Sequence, residues 1–442
     1  EREKWRTKRN KRGQLEGGRE EEIEGRETSS IMPCATHRGC LWSCRSSWSC
    51  FLVSRSLLVV AVVALASTAF ALEDGSPSKP KKALKSQTPV NYFANFLKPS
   101  KSEVAVDFGA FNIPGKAAWS IKAGSYFGLW YFFNIFYNVA NKKALNALNL
   151  PWLQSLACVG VGIPYIALIW ALGVRDTPKI DNKLLPSIIQ QSSLHAAGNV
   201  GGNVAFGAGA LGFAHVLKSC EPAFTAIFSG LINGKWQHPF VYATLIPIMG
   251  GVAYASASEV NFNMLQFVSA MVSNVAFSLR AVLGKKTMSD RSIREVAKLD
   301  GPNTFSVLQI GATLLTIPFV VAVEGWRTLA PWTHPSWKAA IGKLDHAGAM
   351  ITEGYLWKQL ILSGLMFQLY YESAFLALDA VSPVTHSIGN NIKRVVIVIT
   401  SVIIFGQKMS TQSMIGSSIA IAGVFLYAQV SEMYSNIANR AK

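Results

Sequence analysis

The stretch Asn390-Asn391-Ile392-Lys393-Arg394-Val395-Val396-Ile397-Val398-Ile399 sets two adjacent cations directly against an unbroken aliphatic run. A second stretch poses the same problem: Lys218 follows the mostly apolar residues from Ala208 to Leu217 and precedes another apolar run from Ala223 to Ile232. Runs of this kind recur along the chain after residue 120, parted only by short polar or Gly/Pro breaks. The 442 residues are 50% hydrophobic and 15% charged, with a mean hydropathy of +0.26. A soluble chain carries about 25% charged residues. Low charge together with 24 Phe, 12 Trp and 35 Gly indicates an all-α, polytopic membrane protein and excludes a soluble enzyme.

Ten transmembrane helices are read near 121–141, 152–174, 184–207, 209–232, 238–257, 262–284, 303–325, 355–379, 381–406 and 410–430, with one longer loop at 326–354. Two segments resemble each other. One runs from Lys218 through Gly234-Lys235 to Gly251-Val252-Ala253-Tyr254-Ala255; the other runs from Lys393 through Gly406-Gln407-Lys408 to Gly423-Val424-Phe425-Leu426-Tyr427-Ala428. They make the fourth and fifth spans the counterparts of the ninth and tenth. Residues 120–257 and 258–431 then form two five-helix repeats, followed by a tail at 432–442. An odd helix count per repeat inverts the second copy. Basic loop residues on one side (Arg175, Lys179, Lys183, Lys235, Lys285, Lys286, Arg291, Arg294 and Lys298) outnumber those on the other (Lys142, Lys143, Arg327, Lys338, Lys343 and Lys408), which places both termini toward the cytoplasm-equivalent compartment.

The leader reads as an address. Residues 1–31 are a charged, disordered extension with the run Glu20-Glu21-Glu22, before the first methionine, Met32. Residues 32–71 have the order of a signal peptide: Arg38, Arg45 and Arg55, an apolar stretch from Leu57 to Leu65, and a small-x-small site at Ala69-Phe70-Ala71. Residues 72–119 are a transit-like linker with Lys79, Lys81, Lys82 and Lys85. The leader cysteines Cys34, Cys40, Cys44 and Cys50 make no zinc-type CxxC pair. The net charge of +17 is not gathered on a soluble face, so nucleic acid is not expected as a partner.

A Lys or Arg at a helix centre costs about 2.5–3.5 kcal/mol to insert and needs a reason. Lys218, Arg280, Lys393 and Arg394 lie at such depth, against the acids Glu221 and Glu372, an excess of two positive charges. Arg280 can snorkel, and Lys218 can pair with Glu221 one turn away. Adjacent Lys393 and Arg394 diverge by about 100° on a helix, so one acid cannot serve both. The surplus suits a dianion, either a phosphate monoester or, on charge alone, a dicarboxylate. Asn199, Asn203, Asn274, Ser278, Tyr370 and Asn390 add donors at helical spacing. His215 and His386 precede their lysines by three and seven residues and so share their faces, without a metal pattern or a cofactor motif. An intramembrane enzyme using either histidine lacks a partnered nucleophile.

The stretches Asn134-x3-Asn138-x2-Asn141-Lys142-Lys143, His215-x2-Lys218-x2-Glu221-Pro222-x-Phe224, Ser273-Asn274-x2-Phe277-x2-Arg280 and Pro383-x-Thr385-His386-x2-Gly389-Asn390-x2-Lys393-Arg394 resemble the plastid phosphate translocators over about residues 120–430. The wider group is the drug/metabolite transporter superfamily, which includes the nucleotide-sugar transporters of endomembranes, the alternative reading. The resemblance implies an antiporter of the plastid inner envelope, monomeric or homodimeric in the lipid, exchanging inorganic phosphate for a phosphorylated C3, C5 or C6 compound. It implies that Lys218, Lys393 and Arg394 hold the phosphate, with Tyr370, Arg280 and Asn199 beside it. His215, His386, Gly202, Glu221 and Glu372 are pocket-lining candidates. Asn199 stands where triose- and hexose-phosphate members have His, and Gly202 where a small polar residue is common. Glu372 replaces a frequent Gln. A signal followed by a transit-like stretch implies a secondary plastid reached through the secretory pathway.

Overall fold

A computed structural model describes residues 106–107, 112–113, 115–234, 236–259, 262–287, 297–381, 383–406 and 409–440. The charged extension, signal and most of the transit-like linker, together with Lys235, Arg291, Arg294 and Lys408, lie outside the described residues. The helices, in chain order, are α1 (Gly115–Leu148), α2 (Pro151–Gly160), α3 (Ile163–Ala171), α4 (Leu185–Ala208), α5 (Leu211–Leu217), α6 (Glu221–Asn233) and α7 (Pro239–Ala243). They continue as α8 (Leu245–Ala257), α9 (Met264–Thr287), α10 (Gly301–Glu324), α11 (Pro335–Ala340), α12 (Glu353–Ala380), α13 (Pro383–Phe405) and α14 (Thr411–Arg440). A two-residue antiparallel pair, β1 (Val106–Asp107) with β2 (Asn112–Ile113), is a small departure from the all-α expectation.

Local chemistry sets these boundaries. Pro151, Pro186, Pro222, Pro239 and Pro302 sit in first turns, where a missing N–H costs nothing. Asp300 caps α10 by accepting from Asn303 N at 2.7 Å. Gly234 and Gly406 close α6 and α13 with φ of +62° and +58°, a left-handed turn that favours glycine. Six helical stretches are long and apolar enough to cross a membrane: Pro151–Ala171, Pro239–Ala257, Met264–Gly284, Gly301–Glu324, Glu353–Leu378 and Thr411–Tyr434. α1, with Asn134, Asn138 and Asn141, and α4, with Gln190, Gln191, Asn199 and Asn203, are long enough but too polar to join that set.

α1 packs along α12, α4 lies between α9 and α10, α8 runs along α14, and α13 meets α5 and α14. The largest core cluster is aromatic, with Tyr126, Phe127, Trp130, Tyr131 and Tyr137 of α1 against Phe367 and Tyr370 of α12 and Phe305 of α10. α8 and α14 approach backbone to backbone. A Cβ on Gly251 would come within 2.5 Å of Ala420 N, and one on Gly416 within 2.6 Å of Ala255 N. Small residues permit such contact between membrane helices.

Two basic residues read as loop charges are buried instead. α1 continues past 141, and Lys142 Nζ donates to Phe206 O (2.6 Å) and Gly209 O (2.8 Å), capping the carbonyl end of α4. Arg175 forms an ion pair with Glu372, their side chains only 8% and 4% exposed. Neither cation is a loop charge of the kind that sets orientation.

Candidate functional site

Between α5 and α6 the chain makes a short 3₁₀ turn, Lys218–Cys220, before Pro222 restarts the helix. The break puts Lys218 and Glu221 at one wall of a cavity of about 270 Å³. α13 brings Lys393, Arg394 and His386 to the same cavity, α9 brings Arg280, α12 brings Tyr370 and Tyr371, and α4 brings Asn199 and Gly202. Trp130 and Asn138 of α1 and His215 of α5 complete the part of the wall that carries chemistry. Ten of the eleven residues singled out from sequence therefore line one space. Glu372 does not, because its carboxylate is taken by Arg175.

That pairing corrects the charge balance. The lining holds four cations, Lys218, Arg280, Lys393 and Arg394, against the single carboxylate of Glu221, so the surplus is three rather than two. It also corrects the partner of Glu221. Arg394 Nη2 lies 2.9 Å from Glu221 Oε2, whereas Lys218 Nζ donates to Ser273 Oγ at 2.7 Å. Ser273 Oγ in turn donates to Gly198 O at 2.7 Å. Arg280 does not snorkel; it turns inward and meets His195 Nδ1 at 2.6 Å.

Neutral groups hold the other three cations. Lys393 Nζ lies 5.0 Å from the Trp130 ring centre and 5.5 Å from that of Tyr370. Lys218 Nζ is 4.8 Å, and Arg280 Cζ 5.4 Å, from the ring of Phe277. Ring faces attract a cation through their quadrupole but bring no net charge. Among the described residues, no carboxylate lies within ion-pair distance of Lys218, Lys393 or Arg280.

The neutral polar groups are fixed by their neighbours. Asn199 Oδ1 accepts from Asn203 Nδ2 at 2.7 Å, and Asn203 is itself tied to Ser155 (2.9 Å) and Asn141 (2.8 Å). The Asn199 Nδ2 group is left without a partner among the described residues. A Cβ on Gly202 would meet nothing nearer than Ser273 Oγ at 3.5 Å, so this position leaves room beside Lys218. His215 Nε2 donates to Asn138 Oδ1 at 2.8 Å, and His386 Nε2 donates to Ala374 O at 3.1 Å while stacking on Trp130. Asn274 and Ser278 are structural: they donate to Leu217 O and Glu221 O at 2.9 Å each. The sequence reading missed Trp130, Phe277 and His195. Their spacing was a usable signal, since Phe277 precedes Arg280 by three residues and His195 precedes Asn199 by four, so each pair shares a helix face.

A helical membrane protein whose cavity carries surplus positive charge is suited to hold an anion among its membrane helices. The Triose-phosphate Transporter family model matches residues 121–428. The chain is 34% identical over 323 residues to the chloroplastic glucose-6-phosphate/phosphate translocator 1 of Arabidopsis thaliana, covering 73% of this chain and 79% of that one. It is 35% identical over 319 residues to the chloroplastic phosphoenolpyruvate/phosphate translocator 1 of Oryza sativa subsp. japonica (72% and 74%). It is 34% identical over 325 residues to the chloroplastic xylulose 5-phosphate/phosphate translocator of Arabidopsis thaliana (74% of each). The protein belongs to the triose-phosphate transporter family.

Proposed function

We propose that this protein is an antiporter that exchanges inorganic phosphate for a phosphorylated C3–C6 metabolite by alternating access. One observation carries the reading: four cations and one carboxylate line a single cavity, and three of the cations are held only by neutral groups. Such a surplus matches a phosphate monoester, which carries nearly two negative charges near neutral pH. Lys218, Lys393 and Arg394 take the phosphate, while Arg280, Tyr370 and the free amide of Asn199 meet the rest of the substrate. The names of the relatives support this class of cargo, since they combine phosphate with glucose 6-phosphate, phosphoenolpyruvate or xylulose 5-phosphate.

Exchange follows from electrostatics. Closing the cavity empty would bury uncompensated charge at a cost of several kcal/mol. A bound phosphate removes that cost, so the loaded carrier reorients. Ten spans in two inverted halves, 120–257 and 258–431, supply the moving parts. The packing supports this plan. If each span n corresponds to span n+5, the contact of the first span (α1) with the eighth (α12) maps onto that of the sixth (α9) with the third (α4). The contacts α2–α10, α5–α13 and α8–α14 map onto themselves. Gly234 and Gly406, at matching places, end their helices with the same left-handed turn.

The site of action is the inner envelope of a plastid; chloroplastic relatives and the basic linker at 72–119 support this, and the signal-like segment before the linker points to a secondary plastid. Purified protein in vesicles preloaded with phosphate, offered labelled phosphate against unlabelled triose phosphate, 3-phosphoglycerate, phosphoenolpyruvate and glucose 6-phosphate, tests the function. Competition by at least one organic phosphate is expected. Failure of all four to compete would overturn the reading.

A further inference from the structure

We propose that His195 is a positioning residue that anchors Arg280 in the cavity while leaving its positive charge intact. This deepens the antiporter reading and rests on it, because the group Arg280 would meet is an anionic oxygen of the substrate. His195 is completely buried on α4, and its Nδ1 lies 2.6 Å from Arg280 Nη1. A guanidinium offers only donors and keeps its charge at any pH a protein tolerates. Nδ1 must therefore accept, which fixes His195 as the neutral imidazole with its proton on Nε2. That nitrogen has no partner among the described residues, and the rings of Phe277, Phe305, Phe367 and Tyr371 surround the imidazole.

The contrast with Arg394 shows what this arrangement achieves. Glu221 also holds an arginine at hydrogen-bond distance, but it cancels the charge it holds. An imidazole at the same task restrains the guanidinium by one hydrogen bond and adds no countercharge. Phe277 supports Arg280 in the same neutral way. The remaining N–H groups of the guanidinium fork stay available for an oxyanion in the cavity that Arg280 lines.

The test compares three substitutions in reconstituted vesicles. His195→Asn places an amide oxygen near the position of Nδ1, His195→Asp has the same shape with a charge, and His195→Leu removes the acceptor. His195→Asn should keep the inhibition constant of the best-competing organic phosphate among triose phosphate, 3-phosphoglycerate, phosphoenolpyruvate and glucose 6-phosphate within about threefold of the parent protein, whereas His195→Asp and His195→Leu should raise it about tenfold or more, with a smaller change in the KM for inorganic phosphate. A His195→Asn protein that is monodisperse yet as impaired as His195→Leu would overturn the proposal, and so would His195→Asp matching His195→Asn. A second readout does not depend on transport. In ¹⁵N-histidine-labelled protein, the signal lost in His195→Asn should be that of a neutral ring protonated at Nε2. A ring protonated at Nδ1 or at both nitrogens refutes the proposal. If the parent protein exchanges no phosphate, the antiporter reading falls and the nitrogen signal still decides the role of His195.

Discussion

Arg394 of α13 and Glu221 of α6 form an ion pair inside the cavity, Nη2 to Oε2 2.9 Å, with the arginine 12% and the carboxylate 30% exposed. Glu221 thus occupies the arginine that an incoming phosphate would seek. Glu221→Gln should release Arg394 and tighten phosphate binding by about tenfold, or ~1.4 kcal/mol. The ligand-free protein should meanwhile lose stability, because a cation is left without its partner. Thermal unfolding with and without phosphate checks this: the stabilisation by phosphate should be larger in the variant than in the parent.

Lys393 and Lys218 meet no carboxylate among the described residues, so their charge is available to the ligand. Lys393→Met and Lys218→Met should each raise the KM for phosphate by about 10–100-fold, the worth of a charge-assisted hydrogen bond. Ser273→Ala should act in the same direction but less strongly, since it only frees the Lys218 ammonium it now holds at 2.7 Å. Initial rates of phosphate exchange across a concentration series measure both effects.

Glu372 should behave in the opposite way. It lies outside the cavity lining and neutralises buried Arg175. Glu372→Ala should destabilise the protein by about 3–5 kcal/mol, because it strands a buried charge. The KM for phosphate should stay at the parent value. Removing both partners, as Arg175→Met with Glu372→Met, should restore most of the stability.

Gly416 on α14 faces the backbone of α8. A side chain there would need to push Ala255 N away from 2.6 Å, which requires the two helices to part. Gly416→Leu should cost about 1–3 kcal/mol or more, as overpacking does. Denaturation in detergent measures it, and Gly250→Leu, at a position with open space, is the control that should be tolerated.

The loop between α10 and α12 carries a pH-sensitive turn. Burial pushes the Asp345 carboxyl up, but hydrogen bonds from Ala349 N, the Tyr355 hydroxyl and Ala347 N outweigh it, and its pKa falls below the ordinary value of 3.8. A depressed carboxyl stabilises the fold above the unfolded value, and that contribution disappears as pH falls through the folded one. The turn should therefore hold at neutral pH and loosen only below about pH 4. The ultraviolet absorbance of Tyr355, whose hydroxyl donates to Asp345 at 3.0 Å, followed as the difference between the parent protein and Tyr355→Phe, should show a transition in that range which is absent from Asp345→Asn.

Much of this was legible in the sequence because lipid simplifies the code. Apolar runs located the long helices among the described residues, although α1 and α14 run six to ten residues past the read ends, α11 lies in the stretch read as a loop, and the span read at 209–232 is broken at Lys218–Cys220. Cations inside the runs, such as Lys218 and Lys393, marked the cavity. Partner choice was not legible. Glu221 lies one turn from Lys218 in sequence, yet the 3₁₀ break at Lys218–Cys220 sets Lys218 toward Ser273 and leaves the carboxylate to Arg394, 173 residues away. Arg175 and Lys142 read as loop charges because their partners, Glu372 and the carbonyls ending α4, are distant in the chain. His195 escaped notice because a neutral imidazole among aromatic rings looks like core until the arginine opposite it is seen.

The sharpest measurement is the uptake of labelled phosphate into proteoliposomes that differ only in their contents, one set preloaded with unlabelled phosphate and the other empty of phosphate. A cavity whose positive charge must be neutralised before it can close should give rapid uptake in the preloaded set and almost none in the empty one. Equal uptake in both would show that the unloaded cavity reorients freely, and the surplus charge would then have no part in the transport cycle.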